Sequence, residues 1–217
     1  MELLPTRFLF DFEIPLRYRA RAPRLTGELA DWSEEFLLPP LGRLEGIEPF
    51  APVYVCWNET GLFVATEVRN KSQPLRCEPE RYWKSDALRL CTDTRNTRTS
   101  RRASRYCQQF YLMPTGGGSK GDQPAAASVK IKLAREDAPS VAPGVVHVVA
   151  QVARDGYRLE AHIPAKALWG FDPDEHNRIG FYYILEDHDH GQQYLTVGDD
   201  LQWYVDPSTW ATAILVR

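Results

Sequence analysis

The segment RYWKSDALRLCTD, residues 81–93, shows the pattern from which the fold is interpreted. Leu88 and Leu90 fall on one side of its second half and Arg89 falls on the other, so the period of two predicts a β-strand with one buried face. Trp83 stands just before the strand, where a loop enters it. An indole beside a polar face carrying Arg89 suits a flat ligand with hydroxyl groups. The alternative is that Trp83 is a partly buried residue at the strand edge.

The same alternation recurs along the chain, whereas helical periodicity is nearly absent. Further strands are predicted at residues 8–19, 52–58, 62–68, 106–113, 128–133, 145–152, 157–163, 178–186, 192–197 and 211–216. A single helical turn is predicted at 165–169, and a flexible glycine-rich loop at 115–121. Many short strands separated by turn residues predict an all-β protein. The fold class expected is a two-sheet antiparallel β-sandwich with little helix, formed as one domain over residues 1–217.

Composition excludes several classes of partner. The chain has 217 residues, is 43% hydrophobic and 25% charged, and carries a formal charge of -3, which is typical of a soluble globular protein. That charge predicts no binding to nucleic acid or to an anionic membrane. The N-terminus lacks a basic start and a long apolar region, so no signal peptide is predicted and a cytoplasmic location is the default expectation. Export and oligomeric state stay open.

The cysteines show no CxxC spacing, so a zinc site is not predicted. There are four of them, Cys56, Cys77, Cys91 and Cys107. Without an export signal, free thiols are expected.

Six short motifs follow one another in an order that resembles a known family. They are LTGELADW (25–32), the hairpin at 53–68, WKSDALRL (83–90), GYRLEAHIP (156–164), IGF (179–181) and WYVDPSTW (203–210). Together they resemble the family 9 carbohydrate-binding modules, sandwich domains of jelly-roll-like and DOMON-like form that occur attached to xylanases and as freestanding relatives. The resemblance implies a binding module that performs no catalysis.

In the sugar-binding members two tryptophans enclose a terminal sugar, and the resemblance implies Trp83 and Trp203 for that role. An indole face suits a pyranose because the axial C–H groups of the sugar form an apolar patch. The ring hydroxyls then need hydrogen-bonding partners. Strand alternation puts Arg89, Gln109 and Tyr111 on one polar face, which supplies them. The family has an acid at the position of Arg89 and an arginine near that of Tyr111, so the resemblance does not carry over the exact sugar preference of the family.

Residues 186–191, EDHDHG, form a polar cluster that could bind a metal ion. Asp187 and Asp189 with loop carbonyls could hold calcium, and some relatives of this fold carry structural calcium. His188 and His190 would suit zinc or another transition metal. The alternative is a solvated turn, since turns favour aspartate. No cofactor is expected to be required.

Five arginines crowd one loop, at positions 95, 98, 101, 102 and 105. They could contact phosphate or carboxylate groups, including those of uronic acids. They could equally pair with Asp93, Asp199 and Asp200, or face solvent. The acids Asp86 and Glu160, which stand in apolar strands, are expected to accept hydrogen bonds from backbone or arginine donors inside the protein.

The sequence therefore predicts a binding module that holds a saccharide between Trp83 and Trp203 and is not an enzyme. No Ser/His/Asp order or nucleophile elbow is visible. Two alternatives stay open. One is a protein-interaction or regulatory domain that has lost sugar binding, which requires a contiguous apolar patch. The other is a metal-dependent enzyme that uses residues 187–190. The saccharide interpretation requires both indoles to be exposed and to face each other.

Overall fold

The computed structural model describes residues 11–217, which form eleven β-strands joined by loops and short 3-10 turns. The strands are β1 (Glu13–Tyr18), β2 (Val53–Asn58), β3 (Gly61–Arg69), β4 (Ala87–Asp93), β5 (Cys107–Gly117), β6 (Gln123–Val129), β7 (His147–Ala153), β8 (Gly156–Pro164), β9 (Arg178–Asp187), β10 (Gly191–Tyr194) and β11 (Ala211–Val216). The 3-10 turns are Glu34–Phe36, Leu41–Glu45, Pro79–Lys84, Ala165–Ala167, Asp199–Leu201 and Pro207–Thr209. The prediction of a mostly β protein with little helix is confirmed.

The strands form one continuous sheet in the order β6-β5-β4-β9-β11-β1-β2-β3-β8-β7, with β10 beside β9. The sheet curves until it is nearly barrel-shaped. Strand β1 runs parallel to both β11 and β2, whereas the other pairs are antiparallel. The predicted arrangement of two purely antiparallel sheets is therefore not confirmed. Alternation shows which face of a strand is buried, but it does not show which strands share an edge.

Most strand predictions agree with the structure, and the exceptions have local causes. The predicted first strand, 8–19, corresponds to β1, which runs through Pro15; residues 8–10 lie outside the described part of the chain. The strand predicted at 128–133 is wrong, because β6 covers 123–129. Its sequence QPAAASV has a single β-branched residue, so propensity gave little signal. The loop predicted at 115–121 is partly strand, since β5 extends to Gly117.

The hairpin of β2 and β3 has the turn that its sequence predicts. Asn58 pairs with Gly61, and Gly61 adopts a φ of 136°. A Cβ atom at Gly61 would lie 2.2 Å from the carbonyl oxygen of Ile163, so only glycine fits beside β8 at this point. The same hairpin directs Val55 and Trp57 into the main core.

The main hydrophobic core lies inside the curved sheet. It includes Ile14, Leu16, Val55, Trp57, Leu62, Leu88, Leu90, Phe110, Leu112, Phe181 and Leu185, all nearly or fully inaccessible to solvent. The expectation that β4 has only one buried face is wrong, because every residue of β4 is buried. The second face is covered by the turn Pro79–Lys84 and by the segment that leads into β11. Arg89 is therefore only 5% exposed.

Glu160 fastens the N-terminal segment to the sheet. Its side chain is fully buried on β8; Oε1 accepts a hydrogen bond from Trp32 Nε1 at 2.8 Å, and Oε2 accepts from the backbone N–H groups of Thr26 (2.9 Å) and Gly27. The prediction that this acid satisfies internal donors is confirmed. These bonds join the motif at 25–32 to the motif at 156–164.

All four cysteines are free thiols in this structure. Burial raises the pKa of the Cys56 thiol to about 12. None of the helical segments within residues 11–217 has the length and hydropathy that a bilayer crossing requires.

Candidate functional site

A cleft of about 330 Å³ opens above the second face of β4. It is lined by Tyr82, Trp83, Arg89, Gln109, Lys130, Lys132, Glu186, Asp199 and Tyr204. The strand register explains its floor: Arg89 lies opposite Tyr111 and Cys91 opposite Gln109, so Arg89 and Gln109 are diagonal neighbours on one face. Three of the predicted ligand-binding residues, Trp83, Arg89 and Gln109, thus meet in one cleft.

Trp83 forms one wall and is 48% exposed. The turn Pro79–Lys84 carries it, and its indole meets the Tyr82 ring edge-on, with centroids 5.2 Å apart. Tyr82 in turn stacks on Tyr111, also at 5.2 Å and with only 12° between the ring planes. Tyr111 therefore supports the wall from behind instead of lining the cleft. The prediction that Tyr111 offers a polar contact gains no support from this position.

Trp203 is fully buried, so the prediction that it forms an exposed wall opposite Trp83 is wrong. Its ring stacks on Tyr182 at 4.6 Å, and its Nε1 donates to Asp199 Oδ1 at 2.9 Å. Gln202 has a left-handed backbone, with a φ of 53°, and the indole that follows it points inward. The next residue, Tyr204, is 36% exposed and lines the cleft instead.

The sequence analysis missed Tyr204 because it considered only tryptophans as the aromatic walls of the site. The available signal was the adjacency of two aromatic residues, since neighbouring side chains in an extended or turning segment point to different sides.

The Arg89 guanidinium lies between aromatic rings on the cleft floor. Its Cζ atom is 4.5 Å from the centroid of the Trp203 ring and 5.2 Å from that of Tyr82, and both rings stabilise the cation. Nη1 donates to Glu186 Oε2 at 3.0 Å. Arg89 Nε and Gln109 Nε2 are buried and have no hydrogen-bond partner within the described chain. The floor thus carries donors that the protein does not satisfy.

The two acids of the cleft were not predicted as site residues, and both are engaged by protein donors. Burial raises the pKa of Glu186, although Arg89 opposes that effect. Glu186 Oε1 accepts a hydrogen bond from Gln192 Nε2 at 3.2 Å, and Asp199 Oδ2 accepts from the same nitrogen at 3.1 Å. Gln192 therefore links the two carboxylates.

The rim of the cleft carries Lys130 and Lys132. These lysines were also missed, because the strand predicted at 128–133 placed them in a sheet.

The acidic segment predicted to bind metal surrounds a lysine. Lys71 Nζ lies 2.6 Å from Asp187 Oδ2, 3.4 Å from Asp86 Oδ2 and 3.7 Å from Asp189 Oδ2. Asp187 Oδ1 accepts from the backbone N–H groups of Asp189 and His190.

Asp189 also accepts hydrogen bonds from the backbone N–H of Gln73 and from Ser72, and these lower the pKa of its carboxyl to about 2. The carboxylates face an ammonium and N–H groups, so as placed they do not fit Ca²⁺. Within residues 11–217 no group of three or more His, Cys, Asp or Glu side chains is arranged to hold a metal ion.

Asp86 has the structural role that its sequence context predicts. It is fully buried; Oδ1 accepts from the backbone N–H of His188 at 2.7 Å, and Oδ2 accepts from the backbone N–H of Arg76 at 3.0 Å. It therefore connects the loop before β4 to the turn after β9.

The arginine-rich loop makes contacts away from the cleft. Arg95 donates to Gly170 O and lies over the Tyr106 ring, Arg98 pairs with Asp11, and Arg105 pairs with Glu136 at 3.0 Å. Asp93 accepts from the backbone N–H of Arg95 rather than from its guanidinium. The interpretation of a loop held by internal and surface contacts is thereby favoured over a phosphate site.

Residues 45–217 match the model of the family described as "Carbohydrate family 9 binding domain-like". The chain belongs to this family. No curated protein sequence matches the chain significantly.

Two solved structures of a family 9 carbohydrate-binding module from Caldicellulosiruptor kristjanssonii are similar in fold to this family 9 chain. The complex with cellotriose has a TM-score of 0.62 and 13% identity, with 94% of each chain covered. The complex with glucose has a TM-score of 0.63 and 14% identity, covering 95% of this chain and 97% of that one. At this identity the likeness establishes the fold.

Proposed function

We propose that this family 9 protein is a non-catalytic saccharide-binding module, and that its ligand stacks on Trp83 in the cleft, with Tyr204 on the other side. Trp83 takes the role of the aromatic platform, and Tyr204 replaces the second exposed indole that the sequence predicts. Arg89 and Gln109 supply donors from the floor. The family membership and the saccharides bound by the two similar structures support this class of ligand.

The observation that carries the proposal is the combination of an exposed indole with unpartnered donors in one cleft. Trp83 is half exposed to solvent, and Arg89 Nε and Gln109 Nε2 find no hydrogen-bond partner among residues 11–217. Unpaired buried polar groups are costly, and a ligand that accepts hydrogen bonds removes that cost. A sugar offers an apolar ring face and acceptor oxygens at once, so it matches both features.

The carboxylates of the cleft favour binding over hydrolysis. A glycosidase needs an acid and a second carboxylate that are free to act on the substrate. Glu186 is held by the cation Arg89 and by Gln192, and Asp199 is held by Gln192 and by the Trp203 indole. Glu186 and Asp199 thus serve to position the floor and the Trp203 segment.

The test is a titration of a sugar panel, including glucose and cellotriose, followed by tryptophan fluorescence and calorimetry. Trp83→Ala is expected to weaken binding at least about tenfold, because burying a large apolar side chain contributes on the order of 1.5–3 kcal/mol. Trp169→Ala is the matched control, since Trp169 is similarly exposed at 45% but does not line the cleft. Undiminished binding by the Trp83 variant, or binding of no sugar by the wild-type protein, would refute the proposal.

A further inference from the structure

We propose that the cleft selects saccharides that carry a carboxylate, such as hexuronic acids, over their neutral counterparts. This inference rests on the proposed function and adds a substrate class to it. It follows from the hydrogen-bonding capacity and the charge that the cleft presents once the contacts within the protein are counted.

The acidic side chains of the cleft are partly engaged by donors of the protein. Both oxygens of Glu186 accept hydrogen bonds, from Arg89 Nη1 at 3.0 Å and Gln192 Nε2 at 3.2 Å. Both oxygens of Asp199 accept as well, from Trp203 Nε1 at 2.9 Å and Gln192 Nε2 at 3.1 Å. A carboxylate has about four accepting sites, so these bonds use about half of them and leave fewer acceptors for the hydroxyl protons of a neutral sugar than two free carboxylates would offer.

The groups left without partners are donors. Arg89 is 5% exposed and Gln109 is 2% exposed. Neither Arg89 Nε nor Gln109 Nε2 donates a hydrogen bond to any group in residues 11–217. A carboxylate only accepts hydrogen bonds, and its bonds to a guanidinium are stronger than those of a neutral oxygen. The floor is thus better matched to a carboxylate than to a hydroxymethyl group.

The rim adds positive charge. Lys130 and Lys132 line the cleft just beyond the end of β6. Lys130 pairs with Asp137 at 2.6 Å, but the two side chains are 80% and 50% exposed, so the pair contributes little and can exchange for a ligand. No partner of Lys132 occurs among residues 11–217. Three cationic and two acidic side chains line the cleft of a protein whose net charge is -3. The local excess of positive charge attracts anions.

The experiment compares pairs of ligands that differ only at one carbon. One pair is methyl β-glucuronide and methyl β-glucoside, and the other is the corresponding pair derived from galactose. Each ligand is titrated into the full chain by calorimetry at low and at moderate salt. The uronides are expected to bind at least about tenfold more tightly at low salt, and the preference should fall as salt screens the rim.

A double variant, Lys130→Gln with Lys132→Gln, tests the origin of the preference. It should reduce the affinity for the uronides by about tenfold more than the affinity for the neutral glycosides, so that the preference falls. Lys166→Gln provides the charge control, since Lys166 lies in the turn after β8 and does not line the cleft. It should change neither affinity beyond what its single charge contributes at long range.

The outcomes separate this inference from the proposed function. If neutral glycosides bind as tightly as the uronides, or if the lysine substitutions leave the preference intact, the inference is overturned while saccharide binding stands. If no member of either series or of the wider sugar panel binds, both fail. Preferential uronide binding that is lost in the double variant supports the inference.

Discussion

At the residue scale, Glu160 shows how a buried acid can be structural. Its carboxylate accepts from the Trp32 indole and from the backbone N–H groups of Thr26 and Gly27. The segment before β2 is joined to β8 by these bonds, and each of the donors would lose its partner if the acceptor were removed. The energy is considerable because unsatisfied buried groups forgo their hydration as well as their bonds.

We therefore expect Glu160→Ala to lower the free energy of unfolding by about 3 kcal/mol. The measurement is chemical denaturation followed by tryptophan fluorescence. Glu175→Ala serves as the control, because Glu175 is exposed and its carboxylate makes no hydrogen bond or ion pair with any of residues 11–217. A Glu160 variant that unfolds at the same denaturant concentration as the control would show that these bonds do not anchor the segment.

Asp189 predicts a dependence of stability on pH. Hydrogen bonds from the backbone N–H of Gln73 and from Ser72 lower the pKa of Asp189 from 3.8 to about 2 in the folded protein. The ionised form is therefore favoured by folding. The contribution is fully present above the unfolded pKa and is lost as pH falls through the folded pKa.

Asp189→Asn should accordingly be less stable than the wild type at neutral pH, and the difference should shrink as pH falls from about 4 to about 2. Urea denaturation at several pH values measures it. Asp172→Asn controls for the removal of one charge from an exposed loop. A stability difference that stays constant over this interval would contradict the assigned cause.

At the scale of elements, the loop after β3 inserts a cation beneath the turn after β9. Lys71 is buried against Asp187 at 2.6 Å and Asp86 at 3.4 Å. Loss of one partner from a buried ion pair is costly because the remaining charges are left without compensation in a poorly solvated site. The ammonium thus holds together the loop before β4 and the β9–β10 hairpin.

Lys71→Met is expected to lower the free energy of unfolding by about 3–5 kcal/mol. Lys120→Met, in the exposed turn after β5, is the control.

Since Lys71 already neutralises the carboxylates, a chelator should leave the melting temperature of the wild type unchanged. Calcium should stabilise the Lys71 variant more than the wild type. A wild-type melting temperature that drops on chelation would show instead that a metal ion supports this region.

The elements also show what sequence reasoning can reach. Alternation located β2, β3, β4, β8, β9 and β11 because each has apolar residues on one face. It did not locate β6, whose alanines give no periodic signal, and it did not orient Trp203. The orientation depends on the left-handed backbone of Gln202 and on the depth of the segment that covers β4. Neither property can be read from spacing.

The candidate site was partly predictable for the same reason. Trp83, Arg89 and Gln109 follow from the position of a strand and its neighbour in the sheet, which period and register determine. Tyr204, Glu186, Asp199 and the rim lysines come from segments that are distant in sequence. Their convergence depends on how the sheet curves, and no local pattern encodes that curvature.

At the scale of the whole molecule, the sheet divides at the β1–β11 pair into two groups of strands. One group is β6-β5-β4-β9-β11 and the other is β1-β2-β3-β8-β7. They are joined by hydrogen bonds where β1 pairs with β11, from Glu13 opposite Thr212 to Arg17 opposite Val216. The cleft belongs to the first group, and the Glu160 anchor belongs to the second.

The β1–β11 pairing affects folding during synthesis. Because β1, at residues 13–18, pairs with β11, at residues 211–216, one edge of β1 stays unpaired until residue 216 has left the ribosome. Contacts between such distant segments form slowly, and bare strand edges invite pairing with other chains. A nascent chain that stalls before residue 211 should therefore be a client for chaperones.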